Sequence, residues 1–125
     1  MFEIFNYAMV TVSDMERSVN FYRDTLGFKL RFQSPEWSEF ETGSTTFALH
    51  GGGKPRPKPA TGESLAGTVS LGLSTSDMDA TVKELKAKGV GFIMEPTVRE
   101  EERIKLAGFT DPDGTPIWIA QQLRQ

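Results

Sequence analysis

With 125 residues, 38% of them hydrophobic and 25% charged, the chain has the composition of one soluble globular domain, or of two small modules sharing a core. It has no cysteine, which excludes disulfides, thiolate zinc sites and cysteine nucleophiles. The formal net charge of −3 argues against nucleic acid as a partner, and no apolar run nears the roughly 20 residues of a membrane-spanning helix.

The opening residues, MFEIFNYAMVTV, carry Glu3 and lack a basic stretch and a cleavage site, so a cytoplasmic protein without a signal peptide is expected. Phe5–Val12 alternates and is rich in β-formers, which predicts a strand. Ser13 stands three before Glu16, a capping box that opens a helix. Met15, Val19, Tyr22 and Leu26 form one apolar stripe along it, and Gly27 closes it. Strands are predicted at Phe28–Gln33, Trp37–Glu41 and Thr45–His50, the last two around a turn at Thr42–Ser44.

Residues Gly51–Gly67, GGGKPRPKPATGESLAG, have no apolar period and read as a flexible connector; a proline-rich peptide ligand is the less economical alternative. The grammar then repeats. Val69–Ser74 is a strand, and Ser76 stands three before Asp79. Met78, Val82 and Leu85 repeat the stripe, Gly89 stops the helix, and Val90–Met94 mirrors the strand that follows the first helix. Arg103–Thr110 and Pro116–Gln121 are strands around Asp111–Gly114, with Asp-Gly as the turn signal. The phrase S-D-M occurs in both halves, and cap, stripe, stop and following strand all agree. The chain therefore reads as a duplication, with residues 1–50 and 68–125 as modules and 51–67 as linker. The expected fold is α+β: two tandem β-α-β-β-β modules whose curved mixed sheets surround a cleft. A half of about 60 residues is marginal alone, so the halves should share surface.

Ser13–Leu30, SDMERSVNFYRDTLGFKL, and Asp111–Ile119, DPDGTPIWI, together with the duplicated module, resemble the vicinal oxygen chelate superfamily. This is the family of glyoxalases, bleomycin-resistance proteins and extradiol dioxygenases. The resemblance covers nearly all of the chain except the linker. It is specific for fold and poorly specific for reaction. It implies a homodimer. In metal-using relatives it also implies four His or Glu ligands, one from each of four strands. Carried over, those positions fall on Tyr7, Ala48, Ser70 and Trp118. Two of these cannot ligate a divalent ion and two are poor neutral ligands. Shifting the register by two reaches His50, the only histidine, and Ala120, which adds a single good ligand. No metal and no other cofactor is therefore expected.

The remaining candidates concern the lining of the cleft. If Ala48 faces it, so do Thr46 and His50. His50 is a solvated strand-end side chain or a ligand contact able to move a proton. Tyr7 and Trp118 either fill the core or stack on a flat ligand, and Trp37 has the same two readings. Glu39 and Glu41 share a face with Trp37. If they are solvated, Phe40 packs inward and Trp37 falls outside the cleft. Arg99–Arg103 reads as an exposed loop, and Asp111 and Asp113 as turn residues. The leading expectation is a metal-free protein similar to the bleomycin-resistance branch. It would hold a small organic molecule, cationic and aromatic in the manner of some antibiotics, against Tyr7, Trp37, Ala48, His50, Ser70 and Trp118. The alternative is an enzyme of the same superfamily, with displaced metal ligands or with metal-free acid/base chemistry.

Overall fold

The structure is a computed structural model that describes residues 1–55 and 66–123. Residues 56–65 of the expected connector lie outside the described residues. The chain divides into two compact units, Met1–Pro57 and Lys58–Gln125.

In the first unit β1 (Tyr7–Thr11) leads into helix α1 (Met15–Asn20), whose last part, Phe21–Thr25, is wound as a π-helix. Strands β2 (Lys29–Gln33), β3 (Trp37–Glu41) and β4 (Thr46–His50) follow. The sheet order is β1-β4-β3-β2, with β1 parallel to β4 and the other pairs antiparallel. The second unit repeats this plan with β5 (Leu71–Ser74), α2 (Met78–Ala87), β6 (Phe92–Arg99), β7 (Ile104–Thr110) and β8 (Pro116–Gln122). Its order is β5-β8-β7-β6, again with a single parallel pair, β5·β8. The fold is thus α+β, two tandem β-α-β-β-β modules, as the repeated phrase predicts.

Strand alternation sorts each sheet into a helix-covered face and an open face. In the first unit Val19 and Tyr22 of α1 pack with Phe40, Phe47 and Leu49, all buried. The rings of Tyr22 and Phe47 lie 4.8 Å apart, and Phe28 meets Phe47 at 5.7 Å. In the second unit Met78, Val82 and Leu85 of α2 are buried, as are Ala107, Phe109, Ile117 and Ile119. Each large side chain so buried stabilises its unit by about 1.5–3 kcal/mol relative to exposure.

The predicted elements hold, with local corrections. Both helices are capped one residue later than the capping-box reading places them. Asp14 Oδ1 accepts from the Arg17 amide at 3.1 Å, and Asp77 Oδ1 accepts from the Ala80 amide at 3.0 Å. Ser13 Oγ accepts instead from the Arg17 guanidinium. A carboxylate at the cap also meets the positive end of the helix. Gly27 and Gly89 stop the helices at φ of 80° and 88°, a conformation that disfavours other residues. Cap and stop are thirteen positions apart in the first module, Asp14 to Gly27, and twelve in the second, Asp77 to Gly89. The π-helical turn absorbs this extra residue, as its Leu26 N–H to Phe21 carbonyl bond of 3.0 Å shows.

Strand β5 starts at Leu71, so Val69 and Ser70 precede it. In the first unit the Thr46 N–H bonds the Asn6 carbonyl and carries the ladder past Tyr7. The matching position in β8 is Pro116, which has no N–H. Strand β6 runs past the predicted Met94 to Arg99, through Pro96, because it is an edge strand with irregular register around that proline. Finally, Gly51 and Gly53 belong to the first unit rather than to a slack connector. Their amides bond the Glu36 and Val12 carbonyls at 2.9 and 3.0 Å, and a Cβ on Gly51 would strike the Pro35 carbonyl oxygen.

Candidate functional site

The open face of the first sheet assembles most of the residues singled out in the sequence. Phe40 and Phe47 point to the helix, so Trp37 and Glu39 of β3, Thr46, Ala48 and His50 of β4, and Tyr7 and Met9 of β1 share the opposite face. Phe40 does pack inward. Trp37 lies on the opposite face, the same face as Ala48.

Tyr7 is level with Thr46, and Trp37 is level with His50, on opposite sides of β4. Their rings meet edge to face at 5.7 Å, and that contact has to pass over Ala48, the small residue between them. Ala48 is accordingly 0% exposed while Tyr7 remains 49% exposed. The alanine is therefore the floor under the rings and not a contact surface. His50 is exposed and stands edge-on to Trp37 at 6.4 Å. Its carbonyl accepts from Val12, and its ring has no hydrogen-bond partner among the described residues.

Two polar side chains fix this arrangement. The Trp37 indole N–H donates to Glu39 Oε2 at 2.8 Å. Arg31 donates to Glu39 Oε1 through Nε at 3.1 Å and through Nη2 at 2.7 Å, and Nη2 also reaches Thr46 Oγ1 at 2.9 Å. The indole first, and then the guanidinium, hold the Glu39 carboxyl below the usual carboxylate range. Arg31 is brought there by an irregularity. Leu30 pairs with Phe40 and Phe32 with Glu39, so Arg31 is the extra residue of a β-bulge. Bulges re-aim side chains in this way. No sequence signal marked Arg31, because its role depends on the bulge and on the cross-strand register.

The second unit solves its open face differently. Trp118 is flanked across the sheet by Gly72 and Gly108. Its six-membered ring lies on Gly108, where an added Cβ would collide with Cζ3 and come within 2.5 Å of Cε3. Gly108 was missed in the sequence, although an isolated glycine inside a strand is a known sign of close approach. Ser70 lies exposed outside β5 and contributes no strand position. A groove of about 560 Å³ at the end of β5 and β8, lined by Ser74, Thr75, Gln121 and neighbours, contains none of the predicted site residues.

The four positions where a metal-using relative places ligands thus present a phenol, a buried methyl, an exposed hydroxyl and an indole seated on a glycine. These donors do not fit a divalent ion. Among the described residues no group of three or more His, Asp or Glu side chains is disposed to hold one. No helix among the described residues is long and apolar enough to cross a membrane.

Comparison with known proteins agrees with this architecture. YraH of Bacillus subtilis, an uncharacterised protein, is 31% identical over 121 residues, 90% of this chain and 93% of its own. The crystal structure of SMU.1112c superposes with a TM-score of 0.84 at 22% identity, covering 97% of this chain and all of the other. TnmS3, an antibiotic-binding protein from Streptomyces sp. CB03234, superposes with a TM-score of 0.76 at 27% identity, covering 97% of each chain. Residues 4–119 match the family model that spans glyoxalases, bleomycin-resistance proteins and dioxygenases. With the duplicated module and the order β1-β4-β3-β2 repeated as β5-β8-β7-β6, this chain belongs to the Glyoxalase/Bleomycin resistance protein/Dioxygenase superfamily.

Proposed function

We propose that the protein is a metal-independent binder of a small organic molecule, held on the open face of the first sheet against Tyr7, Trp37 and His50. The observation that carries this reading is the Tyr7–Trp37 ring pair, fixed over Ala48 by the Trp37–Glu39–Arg31 hydrogen bonds. A preorganised aromatic surface with a few placed polar groups is what recognition of a flat ligand requires, because less ordering entropy is lost on binding. The likeness to an antibiotic-binding protein supports an antibiotic-like ligand. The expected second copy in a homodimer is supported by the apolar N-terminal residues Phe2, Ile4 and Phe5, which are 93%, 78% and 73% exposed.

Enzymatic acid/base chemistry has less to work with. Glu39 is engaged by Trp37 and Arg31, and Glu41 by Lys29, which leaves the Tyr7 phenol and the His50 imidazole as the ionisable side chains on this face without a hydrogen-bond partner among the described residues. The test is a thermal-shift panel with native mass spectrometry of protein purified without added metal. A saturating aromatic ligand at about 100 times its Kd adds roughly 2.7 kcal/mol, or about 10 °C for a domain of this size. Stabilisation by aromatic organics and not by zinc, nickel or manganese ions is expected. A stoichiometric divalent ion that survives buffer exchange would overturn the reading.

A further inference from the structure

The acidic net charge invites a cationic ligand, but the hydrogen bonds on this face point elsewhere. We infer that the ligand is an aromatic compound bearing a hydrogen-bond acceptor, an aromatic carboxylate being the best fit. Its ring would lie against Tyr7 and Trp37 and its acceptor against Nη1 of Arg31. The inference rests on the binding reading above and adds the chemical class of the ligand.

The carboxylates of β3 on this face are already occupied. Glu39 accepts three hydrogen bonds, one from Trp37 and two from Arg31, and Glu41 is paired with Lys29 at 3.3 Å. Neither offers a cation an uncompensated charge. The indole N–H is spent on Glu39, so Trp37 presents its ring and no donor. Arg31 is different. Nε and Nη2 are used, while Nη1 has no partner among the described residues, and the side chain is 42% exposed.

Glu39 and Thr46 hold the guanidinium in one orientation, so little rotamer freedom remains to be lost when it donates to a ligand. The Nε/Nη2 edge of the guanidinium faces Glu39, whose other oxygen takes the Trp37 indole, and its outer end is held at Thr46. Thr46, bonded to Nη2, is also the cross-strand partner of Tyr7. Ring surface and fixed donor therefore adjoin on one face, the geometry an aromatic acid fills. Donation from a charged group to a carboxylate is the stronger kind of hydrogen bond.

The test uses two probes with the same ring and opposite charge, 2-naphthoate and 2-naphthylmethylammonium, titrated to 10 mM while the two tryptophan indole N–H signals are followed by 15N NMR. Naphthoate is expected to bind at least tenfold tighter and to move the Trp37 signal. In the Arg31→Gln variant naphthoate binding itself should weaken at least threefold, whereas ammonium binding should not weaken, because Glu39 loses its Arg31 partner. Equal or tighter binding of the ammonium compound to the wild-type chain, or naphthoate binding that Arg31→Gln does not weaken, overturns the inference and leaves the binding reading standing. Should neither probe bind, the binding reading itself falls and the inference falls with it. The order of the two probes on the wild-type protein decides the matter even where the variant fails to fold.

Discussion

Replacing Gly108 with alanine should unseat Trp118. The backbone at Gly108 lies outside the positive-φ set, so alanine meets no conformational penalty there. The conflict is with the ring alone. A Cβ at 2.5 Å from Cε3, and closer still to Cζ3, cannot be absorbed by a few tenths of an ångström, and the indole is rigid. It has to lift or swing away. A tryptophan buries about 150–250 Å². One face of the six-membered ring accounts for about 60 Å², and at about 25 cal/mol per Å² its exposure costs about 1.5 kcal/mol. That falls within the 1–3 kcal/mol usual for overpacking and corresponds to a fall in Tm of about 5 °C.

Gly72 supplies the control. It flanks the same tryptophan on the other side, yet a Cβ there has nothing within 4 Å. Gly72→Ala should therefore stabilise the protein by about 0.4–1 kcal/mol, through reduced freedom of the unfolded chain. The assay is thermal unfolding of both variants, with tryptophan emission in a Trp37→Phe background that leaves Trp118 as the only tryptophan. Gly108→Ala should lower Tm and shift emission to the red, and Gly72→Ala should do neither. Two variants changing Tm in the same direction, or an unshifted emission in Gly108→Ala, would refute the account of Trp118.

Three further outcomes follow from the same geometry. Because Trp37 and Arg31 hold the folded-state pKa of Glu39 below its ordinary value of 4.5, the stability this group adds is complete above that value. It is lost as pH falls through the lowered one. Trp37 emission in a Trp118→Phe background should thus hold steady as pH falls from 7 to the ordinary carboxylate value of 4.5 and change only below it, and Glu39→Gln should abolish that acid transition. Ser18 is 0% exposed and its hydroxyl has no partner among the described residues, so Ser18→Ala should gain about 1 kcal/mol, read as a higher midpoint in urea. Deleting Asp24 gives the first module the cap-to-stop length of the second. The π-helical turn should then rewind as α-helix, with cooperative unfolding retained by circular dichroism. Deleting one residue from α2, which has no surplus, should abolish that cooperativity.

The parts of this protein that were legible in the sequence are those governed by local chemistry. Cap, stripe and stop glycine specify each helix over one short local stretch, and their recurrence reveals the duplication without any knowledge of contacts. The extra residue in α1 was readable too, as the difference between Asp14–Gly27 and Asp77–Gly89. The site was only half legible. Tyr7, Trp37 and His50 share a face because strands alternate, and alternation is visible in letters. The bond from Arg31 to Glu39 is not, because a one-residue bulge sets it. Nor is the burial of Ala48, which depends on two rings meeting across a strand from either side.

Each open face must cover the middle of its central strand, where a side chain stands between two neighbours. In the first module the small residue is on the central strand, at Ala48, and the aromatics reach over it from β1 and β3. In the second the aromatic is on the central strand, at Trp118, and the small residues are its neighbours, Gly72 and Gly108. Both arrangements pair large with small, in opposite order. A substitution that enlarges the central residue of one module is thus tolerable only with smaller neighbours. Ala48→Trp alone would collide with the Tyr7–Trp37 pair, and would have to be accompanied by glycine at position 39, the counterpart of Gly108, before the first module could bury a ring as the second does.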